Sequence, residues 1–533
     1  LNIDITIIFN FKIINKYVLA DCELTACEVF EIVTQKDTLQ RNNEAAPCLT
    51  PENDMRWRQL DRRLRSIEQS VWTISMSQNR WRQCTKGLCR CDATKRSLSC
   101  WRVGITSLNA AIIAPADLHY IDLGINKIRT LHKTTFKGMG ALTELDMFDN
   151  NLEYLPAGIF DSLINLRILR LQRNHLEEID NQAFQFTKKL YHVDLSNNFL
   201  YTLPEKLFIN NTLLDTIDVS NNKIVYIPSD TFLGLDSIKN LDLSKNSIGD
   251  IQNRTFSLKY LLILKISENK ISNISESAFT NLGLLETLLL DRNKIQELPR
   301  FLFQGLNCLT YLDLSYNYIK SVLKVELESL KNLKHFDLKE NMISDISEDG
   351  FSKCKSLEKL DLSKNRLRYL NVATFDGLEN LTTLILSENH LSEMHFKTFS
   401  TLKNLATLYL DGNKFPSLPS RILDFMPKLA VVKLSGNPWH CDCHTLYISA
   451  WVRLNEMKIW DYSPTCVSPW FVEGHFLKKL QFTELCVGQW ASMVNLSPRL
   501  PLQQLMELNI AVNRKPQSSN VPNHNHTTVN PWD

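Results

Sequence analysis

"LDLSKN" occurs twice in this chain, at Leu241–Asn246 and again at Leu360–Asn365. A hexapeptide repeated verbatim over that distance points to a period, and a wider frame carries it. The frame L-x-x-L-x-L-x-x-N ends on Asn126, Asn150, Asn174, Asn198, Asn222, Asn246, Asn269, Asn293, Asn317, Asn341, Asn365, Asn389, Asn413 and Asn437, fourteen copies in all. Every step is 24 residues except Asn246 to Asn269, which is 23. Some copies put Ile or Val where Leu is usual, as in "LDTIDVSNN" at Leu214–Asn222.

Each position of the frame has a physical reason. The alternating Leu positions make a short strand whose apolar side faces inward. The Asn falls where the chain leaves the strand, and its amide reaches backbone groups of neighbouring turns, so stacked Asn side chains form a ladder. A Phe recurs at one phase, at Phe136, Phe160, Phe184, Phe208, Phe232, Phe256, Phe279, Phe303, Phe351, Phe375 and Phe399, with Leu327 and Leu423 in the two gaps. These rings are expected to stack as a spine under the convex side. Leu, Asn and Phe therefore read as core. One such unit cannot bury its own apolar face, so neighbours must stack. The expected fold is an α/β repeat solenoid, a leucine-rich repeat horseshoe with a parallel concave sheet. That sheet faces solvent and is the expected binding surface, while both open ends need caps.

Cysteines mark those ends. "CTKGLCRCDATKRSLSC" supplies Cys84, Cys89, Cys91 and Cys100 directly before the first repeat. "NPWHCDCH" supplies Cys441 and Cys443 directly after the last, followed by Cys466 and Cys486. From spacing alone, four cysteines allow three pairings. Over Cys84 to Cys486 the chain resembles the extracellular leucine-rich repeat proteins with N- and C-terminal cysteine-rich caps, among them Slit, Toll ectodomains, small proteoglycans and the acid-labile subunit of the insulin-like growth factor complex. The resemblance implies the pairs Cys84–Cys91, Cys89–Cys100, Cys441–Cys466 and Cys443–Cys486. Cys89-x-Cys91 and His440-Cys-Asp-Cys-His444 also hold zinc-type ligands, but their places at the two array ends favour disulfides, and no metal or cofactor is expected. Of the remaining cysteines, Cys354 replaces a core Leu and reads as a buried thiol. Cys308 sits at a position that is usually polar.

The bulk properties agree with an oxidising compartment. Eleven of the thirteen cysteines lie at the two ends, seven from Cys22 to Cys100 and four from Cys441 to Cys486, and six N-x-Ser/Thr sequons, at Asn210, Asn253, Asn273, Asn380, Asn495 and Asn525, are candidate glycosylation sites. A net charge of +2 over 533 residues gives no reason to expect nucleic acid. No run of about 18 uncharged apolar residues exists to span a membrane. The chain begins at Leu1 rather than Met, which reads as a fragment. "ITIIFNFKIINKYVLA" before Asp21 resembles a signal segment, although Lys12 and Lys16 interrupt it.

One stretch has another rhythm. In "WRQLDRRLRSIEQSVWTI", apolar residues fall at Trp57, Leu60, Leu64, Ile67, Val71 and Ile74, a heptad seam. Thr50, Pro51 and Glu52 make a good helix start. Parallel pairing would set Arg56 against Asp61 and Arg63 against Glu68, which supports self-association, helped by disulfides through Cys22, Cys27 or Cys48. The competing reading is one amphipathic helix lying on the N-terminal cap within the monomer.

No catalytic signature stands in the sequence: there is no Gly-rich phosphate loop, no H-E-x-x-H and no G-x-S-x-G. The chain is expected not to be an enzyme. The outward residue between the two inner Leu positions is Asp at 122, 146, 194, 218, 242, 313, 337 and 361, which reads first as a feature of such repeats and second as a stripe for basic ligands. Arg167, Arg170 and Arg173 of the third repeat, near Glu144, Asp146 and Asp149, read as mutual neutralisation or as an anionic contact. Towards the C-terminal end the stripe becomes Ile385 and Tyr409, with Val431 close by, and Tyr311 and Tyr316 join them as candidate ligand contacts.

The expected order is a signal-like segment over 1–20, a Cys-containing segment over 21–49 and the heptad helix over 50–82. An N-terminal cap over 84–117, fourteen repeats over 118–437, a C-terminal cap over 438–486 and a mostly disordered tail over 487–533 complete it. The resemblance implies a secreted protein binding an extracellular protein ligand on its concave face, in signalling, carriage or innate recognition. The alternatives are a multivalent matrix or adhesion component and the truncated ectodomain of a membrane receptor.

Overall fold

Every copy of the frame forms the same three-residue strand, from Tyr120–Asp122 to Val431–Lys433. Its middle residue is buried in every copy, and its flanking residues are at least partly exposed except Asp146 and Asp361, as in Tyr311–Asp313 around Leu312. The computed structural model that shows this describes residues 73–75, Trp81, Cys84, 88–108 and 113–486. Each strand ends where the backbone turns left-handed. The residue before the ladder Asn has φ between 52° and 57° in twelve copies, and in the last two it is Gly412 (φ 67°) and Gly436 (φ 68°). That conformation costs a non-glycine residue roughly 1 kcal/mol or more and persists only where its surroundings over-determine it.

The Asn side chain is what over-determines it. Asn317 is 4% exposed. Its Oδ1 accepts from Ile295 N–H (3.1 Å), and its Nδ2 donates to the carbonyls of Leu290 (3.0 Å), Leu314 (3.1 Å) and Ser315 (3.2 Å). One amide thus satisfies the exit of its own turn and ties it to the preceding turn, which is why no other residue type recurs there.

The chain divides into two compact units, Leu1–Leu166 with Arg173–Thr187, and Arg167–Gln172 with Lys188–Asp533. In the first, a hairpin pairs Arg90–Asp92 antiparallel with Ser97–Ser99, which then pairs parallel with Tyr120–Asp122, and that with Glu144–Asp146. Disulfides Cys84–Cys91 and Cys89–Cys100 tie this cap together. Phe136, Phe160 and Phe184 stack with centroids 6.1 and 6.0 Å apart.

In the second unit, twelve strands from Ile168–Arg170 to Val431–Lys433 pair parallel in sequence order. Equivalent positions lie side by side, so Leu288, Leu312, Phe336 and Leu360 follow one another along the core. Stacked rings continue at Phe232–Phe256–Phe279 and at Phe351–Phe375–Phe399. Where Leu327 interrupts the spine, the strand's inward residue is Phe336 in place of Leu, its ring 6.5 Å from Phe351, so the volume missing at one site is supplied at the next. A turn on the same side requires glycine: Gly377 has φ +86°, and a Cβ there would lie 2.7 Å from the Ser352 carbonyl oxygen.

The second unit ends in a cap built on helix Leu446–Leu454, seven of whose nine residues are buried. Tyr447 Oη donates to Asp424 (2.8 Å) and accepts from Leu423 N–H (3.1 Å), closing the spine at its other gap. Disulfides Cys441–Cys466 and Cys443–Cys486 fasten this cap. Among the described residues no helix is long and apolar enough to cross a membrane.

One expectation is corrected. Ile74, the last residue of the heptad seam, lies in strand Thr73–Ser75, paired parallel with Ile113–Pro115 and opposite Ala114. A helix therefore does not run unbroken over 50–82. The strand Ile113–Pro115 would otherwise leave an unpaired edge, and Thr73 and Ile74 are β-branched and suit a pleat. The other seam residues, Trp57, Leu60, Leu64, Ile67 and Val71, lie outside the described residues. So do the signal-like segment, Cys22, Cys27, Cys48, Asn495, Asn525 and the tail from 487.

Candidate ligand-binding face

The parallel register sets outward side chains in rows across the sheet. One row runs Asp313, Asp337, Asp361, Ile385, Tyr409 and Lys433. A parallel bridge between Val432 and Ile459 carries it into the cap. Trp460 N–H donates to the Val432 carbonyl (3.1 Å), and Asp461 Oδ2 accepts from Leu434 N–H (2.8 Å) and Ser435 N–H (2.7 Å). The segment is thereby held along the last strand, with Trp460 one residue past the bridge, as Lys433 is one past Val432. Trp460 is 68% exposed and Tyr462 89%.

Adjacent strands lie about 4.8 Å apart, so Ile385, Tyr409, Lys433 and Trp460 form a continuous stripe of aliphatic, aromatic and cationic side chains. Lys433 Nζ sits 4.2 Å from the Tyr409 ring centroid, which fixes the ring's orientation. Thr383, Thr407 and Val431 make the parallel row beside it. Of Ile385, Tyr409, Lys433 and Trp460, Tyr409 and Trp460 are of residue types enriched at protein-contact hot spots; Tyr409 is partly exposed and Trp460 largely so.

The acidic stripe has a different role. Each of its eight aspartates accepts, through Oδ1, the N–H two residues on; examples are Asp194 with Ser196 (2.9 Å), Asp218 with Ser220 (2.8 Å) and Asp361 with Ser363 (2.9 Å). These are turn-forming bonds that start the exit from the strand. Burial pushes the Asp337 carboxyl up to about 6 against the lowering bond from Lys339 N–H, and Asp361 and Asp313 beside it add to the rise. Burial likewise raises Asp218 and Asp313.

Tyr311 and Tyr316 are placed differently from Tyr409. Tyr311 is 36% exposed in its strand, its ring 5.8 Å from His335. Tyr316 occupies the left-handed position, where side chains of successive turns pair with one another. Asn221 bonds Asn197 (2.6 Å), Arg292 lies over the Tyr316 ring (4.1 Å), and Lys364 bridges Glu340 (3.0 Å). Tyr316 is thus engaged within the protein on both sides, by Arg292 and, at 5.8 Å, by Lys339.

Arg167 precedes strand Ile168–Arg170, Arg170 is its last residue, and Arg173 takes the left-handed position (φ 57°) in the first unit. Asn210, Asn253, Asn273 and Asn380 are exposed, as glycan attachment requires. Cys354 is fully buried, and that burial pushes its thiol up to about 12, while Cys308 is partly exposed. Among the described residues no cluster could hold a metal ion.

The sequence reading missed Trp460. It lies beyond the repeat, where no frame assigns a face, and the signal available was only that it stands 23 residues after Asn437.

Residues 188–248, 236–295, 284–343, 332–391 and 379–438 match the family described as leucine rich repeat. No curated protein matches the chain. Among solved structures, a chain of the Toll–Spatzle complex of Drosophila development and innate immunity aligns with TM-score 0.58 and 23% identity over 69% of this chain and 51% of that one, a likeness of fold. A chain of the TLR13–ssRNA13 complex aligns with TM-score 0.55 and 25% identity over 66% and 55%. A leucine-rich repeat protein of Leptospira interrogans aligns with TM-score 0.52 and 26% identity over 69% and 96%. The chain spans about half the length of the first two, 51% and 55%.

Proposed function

Since the chain is a leucine-rich repeat protein with a disulfide cap at each end of its array, we propose that it is an extracellular binding protein. It holds a protein ligand, without catalysis, on the solvent face of its sheet at the C-terminal end. Oxidised caps and exposed sequons support a secreted, glycosylated chain. The observation that carries the binding reading is the unbroken row Ile385–Tyr409–Lys433–Trp460, whose last member is a Trp left largely in water. A folded domain that leaves such a residue on a rigid sheet, beside a tethered Lys, presents an anchor for a partner. Signalling, carriage or innate recognition are the roles that suit a soluble binder of this build.

The test compares the wild type with Ile385→Ala/Tyr409→Ala/Trp460→Ala as baits in extracellular fluid, with bound proteins identified by mass spectrometry. A partner held by the wild type and lost at least tenfold by the triple variant is expected. Equal recovery by both baits refutes the assignment of this face. All three side chains are at least partly solvent-exposed, so the variant keeps the fold, which far-ultraviolet circular dichroism verifies.

A further inference from the structure

One exposed sequon opens onto a groove. Asn380-Leu381-Thr382 stands directly before strand Thr383–Ile385, on the side where the chain enters the sheet. Two columns of side chains run side by side there. Lys334, Glu358, Thr382 and Ala406 form one, stacked through Glu358 N–H to Lys334 O (2.8 Å), Thr382 N–H to Glu358 O (2.9 Å) and Ala406 N–H to Thr382 O (2.9 Å). Ser356, Asn380 and Asn404 stand two residues before Glu358, Thr382 and Ala406, and Lys428 continues their column. Together they line an open groove of about 710 Å³. Asn404 is one turn beyond Asn380 and Lys428 two turns, about 5 and 10 Å along it.

The lining decides what fits. Ala406 is the one apolar residue among the described residues that form it. Lys334 bridges Glu358 (3.0 Å), and Lys428 Nζ donates to Asn404 Oδ1 (2.7 Å). Lys428 is left with two N–H donors. Asn404 is left with one, since its other N–H donates to the Glu379 carbonyl (2.8 Å). The Thr382 hydroxyl donates to the Glu358 carbonyl (2.9 Å) and still accepts. Donors and acceptors at one-turn intervals over a small apolar floor suit a neutral polyhydroxylated molecule with one methyl group, an N-acetyl sugar. Asn380 is placed to deliver it. One N–H of its Nδ2 donates to the Lys355 carbonyl of the preceding turn (3.0 Å). The other diverges from that bond and is the hydrogen that N-glycosylation replaces. The substituted amide keeps one N–H, so the bond to Lys355 survives attachment and fixes the plane from which the sugar leaves.

We propose that Asn380 carries an N-linked glycan whose first two N-acetylglucosamine units lie in this groove instead of standing out in water. This rests on the reading of a secreted, glycosylated chain. The bond from Nδ2 to the sugar's C1 forms as Nδ2 gives up one proton and the sugar leaves the pyrophosphate of a lipid-linked oligosaccharide donor in the secretory pathway; no electrons are transferred. The first sugar runs toward Asn404, its acetamide methyl on Ala406 and its acetamide oxygen accepting from the remaining Asn404 N–H. The second meets Lys428, whose spare N–H groups donate to its hydroxyls. The opposite direction is closed by the Lys334–Glu358 pair. Thr382 precedes Ile385 by three residues, about 10 Å, so the seated glycan rims the face that carries Ile385 and Tyr409.

The test secretes the full chain from cultured eukaryotic cells and measures occupancy of Asn210, Asn253, Asn273 and Asn380 by glycopeptide mass spectrometry. Release by peptide N-glycosidase is then timed at each site. Asn380 is expected to be occupied and, in the native chain, to lose its glycan at least fivefold more slowly than the fastest of the other sites, with no difference after denaturation. Asn404→Ala/Lys428→Ala, at positions that are at least partly exposed, is expected to remove the lag and leave the circular dichroism unchanged. An empty Asn380 beside filled sites, equal rates in the native chain, or a lag that persists in the double variant overturns the proposal and leaves the glycosylated reading standing. Four empty sites overturn that reading, and this proposal with it.

Discussion

Replacing Asn317 with Ala tests the claim that a single amide holds each turn to the one before it. The side chain is 4% exposed and makes four hydrogen bonds, one as acceptor and three as donor. Alanine leaves the Ile295 N–H buried without an acceptor and removes a donor from the carbonyls of Leu290 and Leu314. An unmade buried hydrogen bond costs about 1–3 kcal/mol. Counting the N–H in full and the carbonyls, which retain other lone-pair options, in part gives a loss of about 3 kcal/mol. Because repeat arrays couple only neighbouring turns, the damage concentrates between Leu290 and Asn317. Amide hydrogen exchange reads this directly, since about 3 kcal/mol corresponds to roughly 100-fold faster exchange at Ile295. Asn240→Ala is the control: its amide makes one 3.3 Å bond to Thr216 at a partly exposed site, and the change should stay within about 0.5 kcal/mol. Protection at Ile295 within threefold of wild type refutes the ladder as the element that fixes the turns.

The other predictions concern buried acid, thiols and self-association. Glu326, 5% exposed, caps the Leu323 N–H (2.8 Å), and burial pushes its carboxyl up to about 7. A raised folded pKa means that its favourable contribution is complete below the unfolded value near 4.5 and is lost as pH rises through 7. Glu326→Gln should therefore unfold later in urea than wild type at pH 8, by on the order of 2 kcal/mol, and equal it near pH 4; a larger gain at low pH contradicts the sign. Iodoacetamide labelling of the native protein, mapped by mass spectrometry, should modify Cys308 and spare Cys354 until denaturant is added. If the stretch from Trp57 to Val71 joins copies, light scattering gives a mass above the monomer that falls in Leu64→Asp or with reductant. A monomeric wild type ends that reading.

The array was legible because its signal is redundant: fourteen frames vote on one strand, one turn and one inward face. Phe336 was harder, since its ring compensates for Leu327 nine residues earlier and only the packed core shows the exchange. The aspartates looked like a charged surface, yet their carboxylates are spent on N–H groups two residues away, a local geometry that composition does not reveal. Tyr409 and Tyr316 looked equivalent as exposed aromatics. The backbone separates them, because one stands in a strand and the other at a left-handed exit stacked against Arg292. Ile74 satisfied a heptad and still lies in a strand, because the need to pair the strand at Ile113–Pro115 is a tertiary fact that no local period contains. Trp460 depends on the bridge from Val432 to Ile459, across a cap without repetition.

Each ladder Asn reaches back a single turn, and this has a genetic corollary. The two copies of LDLSKN are five turns apart. Unequal crossing-over between the coding segments for Leu241–Asn246 and Leu360–Asn365 deletes those five turns and joins like to like, so the first Asn beyond the junction finds the same carbonyls and N–H it would have met before. Alleles of different length are therefore foldable without any compensating substitution. What such a deletion changes is the length of the sheet, bringing the strand at Thr216–Asp218 five turns nearer to the row at Tyr409.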